Sequence, residues 1–269
     1  MIRLVVSDVD GTLVDKQKQL TPGTIAAVKR LEAAEVGFTI ISARPMSGLM
    51  PIADALGLDV PLAAFNGGIV FHRDGRVESH VTIERDVAEA VLAAAAGVAV
   101  DIWVFADDQW YATSDHGTHV EHERVASNQA PFVTTDFAAV IDRIDKITFV
   151  SDDEPVLRDL HARIDGMSDR ATIAQSQTYY LDVTALAANK GDGIAALAAA
   201  FDVPMTDIAA IGDQANDVPM LERAGVAIAM GNAPDRVKSA AHHVTTGNDV
   251  DGVAHAIDTL ILTSTGAAA

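Results

Sequence analysis

The stretch from Ile2 to Val14 constrains this chain more than any other. Ile2 to Val6 is a short apolar run rich in β-branched residues, the pattern of a strand buried on both faces. It breaks off in Ser7-Asp8-Val9-Asp10-Gly11-Thr12-Leu13-Val14, two carboxylates one residue apart and then a glycine. Side chains alternate along a strand, so Asp8 and Asp10 share a side if the backbone stays extended between them. Gly11 lets the chain turn away immediately afterwards. Acids at the end of a buried strand are costly to desolvate unless a cation or a reaction requires them. The bland alternative is a solvated strand-to-loop turn carrying incidental acids.

The chain then alternates strands and helices. Thr21-Pro22 reads as an N-cap with proline in the first helical turn, Ile25, Val28 and Leu31 give one apolar face, and Gly37 closes the helix. Phe38 to Ile41 is a second buried strand ending at Ser42-Ala43-Arg44-Pro45. A helix from about Met46 to Leu56 and a third strand near Leu62 to Phe65 follow, ending at Asn66-Gly67-Gly68. This order predicts an α/β fold on a doubly wound parallel sheet.

From Ile69 the rhythm changes. Ile69 to His72 and Arg76 to Val81 flank Arg73-Asp74-Gly75, a hairpin turn. Next come a helix (Arg85 to Ala96), antiparallel strands at Asp101 to Phe105 and Gln109 to Ala112, and a polar helical stretch near His116 to Ser127. Lys146 to Val150, a helix from Pro155 to Ile164, Ala171 to Ala174 and Tyr179 to Val183 complete a second, α+β unit. The expected division is a core of residues 1–83 and 184–269 with an insert of residues 84–183.

The core resumes at Asn189-Lys190-Gly191, which opens a helix through Ala200. Gly191 to Ala196 also fits the dinucleotide fingerprint G-x-G-x-x-A, but it does not lie in the first βα turn of a βαβ unit, so that reading is rejected. Ile208 to Ile211 is another buried strand, ending at Gly212-Asp213-Gln214-Ala215-Asn216-Asp217. An Asn/Asp-rich stretch is commonly a helix cap. Acids at a second strand end favour a functional reading here.

Asp8-Val9-Asp10-Gly11-Thr12 resembles the first motif of the haloacid dehalogenase-like phosphatases, and Gly212-Asp213 with Asn216-Asp217 resembles their fourth. Ser42 and Lys190 stand where the second and third motifs fall. Ala43 departs from the glycine usual between Ser42 and Arg44. The size of the insert is similar to the large α/β (type IIB) cap of the Cof-type subfamily, and Met230 to Ala233 and Asn248 to Ala254 are similar to its C-terminal pattern. The resemblance implies a haloacid dehalogenase-like core with an inserted specificity cap. Asp8 would be the nucleophile and Asp10 the general acid/base; Ser42, Arg44, Lys190, Asn216, Asn66 and Gly67 would hold the phosphate. Mg2+ would be held by Asp8, Asp10, Asp213 and Asp217. The implied activity is hydrolysis of a small phosphorylated metabolite, most plausibly a sugar phosphate, through an aspartyl-phosphate. A phosphomutase or other phosphotransferase shares that chemistry, and a non-hydrolytic phospho-acceptor module is the rival from another class.

Composition excludes other classes. With 38 acidic residues against 19 Lys and Arg, the formal net charge of −19 repels nucleic acids and anionic membranes. It also opposes an anionic substrate unless a cation reverses the local field. Cysteine is absent, so there is no disulfide framework or thiolate metal site. The start runs straight into the first strand, which leaves no room for a signal peptide, and no apolar run suits a membrane span. A cytoplasmic protein, monomer or homodimer, is expected. Within the insert, His116, His119 and His122 recur at i, i+3, i+6; zinc binding is conceivable, though a solvated helix is the simpler reading. Trp103, Trp110 and Tyr111 read as cap core, and His242 and His243 as surface residues.

Overall fold

The computed structural model describes residues 1–265. β1 (Leu4–Ser7) is buried at every position, as a strand sandwiched between helices must be. α1 (Pro22–Ala33) starts where Thr21 accepts the N–H of Thr24, satisfying one of the helix's unpaired N-terminal donors. It is followed by β2 (Gly37–Ile40), α2 (Met46–Leu56) and β3 (Leu62–Ala64). A tight 3-10 turn over Phe65–Gly67 ends β3, shorter than the strand through Phe65 that the apolar pattern predicted. β4 (Ile69–Phe71) and β5 (Val77–His80) form the expected hairpin, with the His72 N–H donating to the Arg76 carbonyl at 2.8 Å.

The chain folds as two units. Met1–Ala43, Leu49–Ser79 and the residues from Asn189 onward make the first; Arg44–Gly48 and His80–Ala188 make the second. The second is wider at both ends than residues 84–183. It also takes in five residues before Leu49, a long-range grouping that no local pattern encodes.

In the second unit, α3 (Arg85–Ala94), β6 (Asp101–Ala106), β7 (Gln109–Ala112), α4 (Val120–Ser127), β8 (Phe132–Val133), β9 (Ile144–Val150), α5 (Glu154–Ile164), β10 (Ala171–Gln177) and β11 (Tyr180–Ala185) follow in order. The strands form a six-stranded sheet, β10-β11-β9-β6-β7-β8, antiparallel except for the β7–β8 pair. Alternation assigns its faces: Val104, Ile147, Phe149, Leu181 and Val183 pack with Val87, Val91, Leu157 and Leu160 of α3 and α5. α4 begins only at Val120, because the Ser114 hydroxyl accepts the His116 N–H in a local turn that competes with helix. His116 and His119 therefore precede the helix, and the three histidines do not share a helical face. Trp103 and Trp110 are core, as expected, while Tyr111 is half-buried.

The first unit resumes with α6 (Lys190–Ala200), β12 (Ile208–Gly212), α7 (Val218–Arg223), β13 (Val226–Ala229), α8 (Asp235–Ser239), β14 (His243–Val244) and α9 (Gly252–Ala256). Its main sheet runs β14-β13-β12-β1-β2, parallel throughout. Leu4, Val6, Ile208 and Ala210 pack with Ile194 and Leu197 of α6, and the alternate residues Val5 and Ala209 are equally buried. This is the doubly wound α/β core the strand pattern called for. Among the described residues, no helix is long and apolar enough to cross a membrane.

Candidate active site

Parallel pairing sets the geometry of the site. Ser7 lies opposite Ile211 on one side and Ile40 on the other. The next residues keep that register, with the Asp8 N–H donating to the Ile211 carbonyl at 2.9 Å and the Ile41 N–H to the Ser7 carbonyl at 3.0 Å. Three neighbouring strands thus end within one residue of a common level, at Asp213, Asp8 and Ser42. Ligands of such sheets bind at the carboxyl ends of the strands, where loops diverge.

Between these ends, Lys190 is buried at the start of α6. Its Nζ donates to Asp8 Oδ1 and, at 2.5 Å, to Asp217 Oδ1. A cation at a helix N-terminus opposes the helix dipole, so its two carboxylate partners must offset both that and desolvation. Asn189 caps the helix by accepting the Asp192 N–H at 2.9 Å, which fixes where Lys190 begins. Asp217 is fully engaged: its second oxygen accepts the N–H groups of Asp213 (2.7 Å) and Gln214 (2.8 Å). It orders the loop and the lysine together.

Asp213 accepts the Thr12 hydroxyl at 3.0 Å, the Gln214 amide at 3.2 Å and the Asn232 amide at 3.2 Å. Asn232 also donates to the Gly11 carbonyl at 2.9 Å, tying the two acidic loops together. Gly11 has φ +80°, and a Cβ there would lie 2.5 Å from Asp213 Oδ2. Glycine is required on both counts. Gly212 is constrained by close approach alone, since a Cβ would lie 2.5 Å from that of Asp217.

The phosphate-binding candidates divide. Ser42 is buried, its carbonyl accepts the Asn66 N–H at 2.7 Å, and the Asn66 side-chain oxygen accepts the Asn216 amide at 3.1 Å. Ser42, Asn66 and Asn216 are therefore linked. Gly67, at φ +93°, packs so closely on α6 that a Cβ would lie 2.4 Å from the Gly193 Cα; its local task is that close approach. Arg44 falls in the second unit, where its guanidinium donates to the Gly48 carbonyl at 3.4 Å. Asp10 is half-exposed, and Lys18 donates to its Oδ1 at 2.6 Å. Thr12, Lys18 and Asn232 were not singled out from sequence. Thr12 stands inside the first motif and Asn232 inside the C-terminal pattern, but no local signal pairs Asn232 with Asp213 and Gly11 or Lys18 with Asp10.

Electrostatics shows what the site lacks. Burial, reinforced by the neighbouring Asp217 and Asp213, pushes the Asp8 carboxyl up to about 8 despite Lys190. Burial and Asp217 push Asp213 up to about 6. For Lys190 burial opposes the charge, but Asp217 and Asp8 outweigh it and hold the ammonium protonated. Three buried carboxylates against one ammonium leave excess negative charge, and the raised acids express it. Oxygens of Asp8, Asp213 and Asp217 lie within 4.8 Å of one another. A hard-oxygen donor set with uncompensated charge could hold a divalent metal ion.

The fold and this strand-end cluster of acids around a buried lysine are those of an α/β hydrolytic enzyme. Residues 5–257 match the family of haloacid dehalogenase-like hydrolases, and the chain belongs to that family, in its Cof-type branch. It is a phosphoric monoester hydrolase. A Haemophilus influenzae protein, provisionally named a phosphatase, is 30% identical over 94% of this chain and 96% of its own. An HMP-PP phosphatase from Escherichia fergusonii is 27% identical over 91% of this chain and 89% of its own. Among solved structures, a haloacid dehalogenase-like hydrolase from Bacteroides thetaiotaomicron superposes with a TM-score of 0.89 at 24% identity, covering 97% of this chain and 100% of that one. A subclass IIB sugar phosphatase superposes at 0.81 with 23% identity, over 95% and 98%. These likenesses show the shared fold.

Proposed function

We propose that this chain is a magnesium-dependent phosphatase that hydrolyses a small phosphorylated metabolite, a sugar phosphate, through an aspartyl-phosphate on Asp8. The observation that carries the reading is the buried Asp8–Lys190–Asp217 cluster beside Asp213 at the ends of adjacent parallel strands. An Asp8 oxygen attacks phosphorus, and the bond to the leaving oxygen breaks as Asp10 gives that oxygen a proton. Water then attacks the phosphorus, Asp10 takes its proton, and the bond to Asp8 breaks, releasing phosphate. Lys190 offsets charge on the transferring group. The Ser42 hydroxyl and the Asn66–Asn216 pair orient its oxygens, Gly67 shapes the loop that carries Asn66, and Arg44 contributes from its own loop.

The cation would be held by Asp8, Asp213 and the Asp10 carbonyl. Asp217 takes the supporting role, because both its oxygens already serve Lys190 and the loop backbone. Bound magnesium supplies charge neutralisation between an anionic nucleophile and an anionic substrate. The second unit serves as the specificity cap. A cytoplasmic setting, as monomer or homodimer and without nucleic-acid or membrane partners, fits an acidic, cysteine-free chain acting on metabolites.

The test is a panel of phosphorylated metabolites scored by phosphate release. It includes hexose phosphates and, because relatives carry the HMP-PP phosphatase name, HMP-PP itself. Activity should require magnesium, vanish on chelation, and not return with calcium, which accepts more oxygens and bidentate carboxylates. Full activity with chelator removes the metal from the reading. A strict requirement for a bisphosphate activator would make the enzyme a mutase, and a stable phospho-protein without turnover would make it an acceptor module.

A further inference from the structure

We infer that Lys18 is a positioning residue for Asp10, fixing the carboxyl in the orientation its proton transfers need; this rests on the reading of Asp10 as proton carrier. Lys18 Nζ lies 2.6 Å from Asp10 Oδ1, and both side chains are about one-third exposed (32% and 34%). A pair so open to water contributes little to stability. The backbone beneath it is nevertheless strained: Lys18 has φ +62°, a left-handed conformation that costs a non-glycine residue on the order of 1 kcal/mol.

The surrounding turn is built to hold that conformation. Asp15 Oδ1 accepts the N–H groups of Gln17 (2.8 Å) and Gln19 (2.9 Å). The Lys18 N–H donates to the Asp15 carbonyl at 3.0 Å, and the Asp15 N–H to the Gln19 carbonyl at 2.9 Å. The turn is anchored to the loop that carries Asp10: Val14 pairs with Asp10 in a parallel bridge, and the Val14 carbonyl accepts the Asn248 amide at 2.9 Å. A rigid, strained turn therefore delivers one ammonium to one oxygen of Asp10, and it does so without a stability gain to explain it. The neighbouring Lys16 shows the ordinary case. Its pair with Asp249 at 2.7 Å is more exposed, and its backbone is not left-handed.

Orientation is the task that remains. Holding one oxygen of Asp10 favours the rotamer that serves the leaving oxygen and then the water.

The experiment is a double-mutant cycle on the magnesium-loaded full chain, read as steady-state kinetics on glycerol phosphate and 4-nitrophenyl phosphate. Lys18→Met should lower kcat on the alkyl ester about tenfold, as expected for a misplaced proton-transfer group, with KM nearly unchanged and Lys18→Arg restoring part of the loss. In an Asp10→Asn background, Lys18→Met should have no further effect, because its partner is gone. Lys18→Gly relieves the left-handed strain and should raise Tm while losing the same activity, which separates positioning from folding. Equal losses in both backgrounds, an effect on KM alone, or unchanged kcat would each overturn the inference. If Asp10→Asn itself turns over like the parent, the reading of Asp10 as proton carrier fails instead.

Discussion

The two sheets place their polar residues in opposite ways. In the parallel sheet of the first unit, β1 is buried along its whole length, and the charged groups Asp8 and Asp213 wait at the strand ends. In the antiparallel sheet of the second unit, Lys146, Thr148 and Asp182 sit in mid-strand. They share one face, opposite the Ile147, Phe149 and Leu181 that meet the helices. A sheet covered on both faces has nowhere but its edge for ionised groups, so chemistry collects at the strand ends. A sheet covered by helices on one face can carry polar and aromatic groups along the other.

The largest expected effect tests the first half of that contrast. Asp8→Asn should abolish phosphate release, since a neutral amide does not attack phosphorus. Asp10→Asn should lose about 10²–10⁴ in rate, the usual worth of a positioned acid/base. Near-parental turnover by either purified, folded variant would show that the strand ends are not the reaction centre.

Lys190→Met comes next and is read on stability. Removing the ammonium leaves Asp8 and Asp217 buried and unpaired, a loss of about 3–5 kcal/mol for such clusters. Denaturant unfolding of the metal-free protein should show it, and added magnesium should recover part of it by binding the folded state. A melting curve unchanged by the substitution would mean the cluster is better solvated than its burial implies.

The second sheet should respond differently. Trp103 and Trp110 meet edge-to-face with ring centroids 5.1 Å apart, Trp103 and Tyr180 likewise at 5.3 Å. The Trp103 and Trp110 Nε1 atoms and the Tyr180 hydroxyl are buried without a hydrogen-bond partner among the described residues. Burial and the nearby Glu123 push the Tyr180 phenol well above its ordinary range. Tyr180→Phe removes a desolvated, unpaired group, so stability should stay level or rise by about 1 kcal/mol. A loss of more than that would mean the hydroxyl is satisfied in solution.

The smallest effect concerns pH. His80 hydrogen-bonds Asp145 at 2.5 Å, and this bond holds the imidazole above its ordinary value of 6.5 despite partial burial. A group whose folded pKa is raised contributes fully below the unfolded value and loses that contribution as pH rises through the folded one. Asp145, raised mainly by burial, has the same sign in a lower window. The Tm difference between the parent and His80→Gln should therefore be greatest below pH 6.5 and shrink above it. A difference independent of pH would show that the ring is neutral in the fold.

Local chemistry made much of the first unit legible. The strands ending at Ser7, Ile40 and Gly212 announce themselves as apolar runs cut off by Asp, Ser or Gly, and the cap of α6 by Asn189. The turn over Phe65–Gly67 was not legible, because Asn66 at φ +58° and the contact of Gly67 with Gly193 depend on a helix far along the chain. His116, His119 and His122 misled for the converse reason: their spacing suits a helix, but the turn at Ser114–His116 delays it. His119 instead stacks on Tyr179 at 3.7 Å and pairs with Asp152 at 2.7 Å, partners supplied by other elements.

Residue type and order single out the acids, the serine and the lysine as candidates, because each stands at a strand or helix end whose signal is written within a few residues. Bringing them together needed parallel register, which ends the strands before Asp8, Ser42 and Asp213 within one residue of a common level, and a helix start that lets Lys190 reach Asp8 and Asp217 at once. The partners Lys18, Asn232 and Thr12, and the division of labour between Asp213 and Asp217, emerged only from the folded chain. Hydrogen bonds and desolvation depend on distance in space, and residues far apart in sequence carry no local mark of the distance that will separate them.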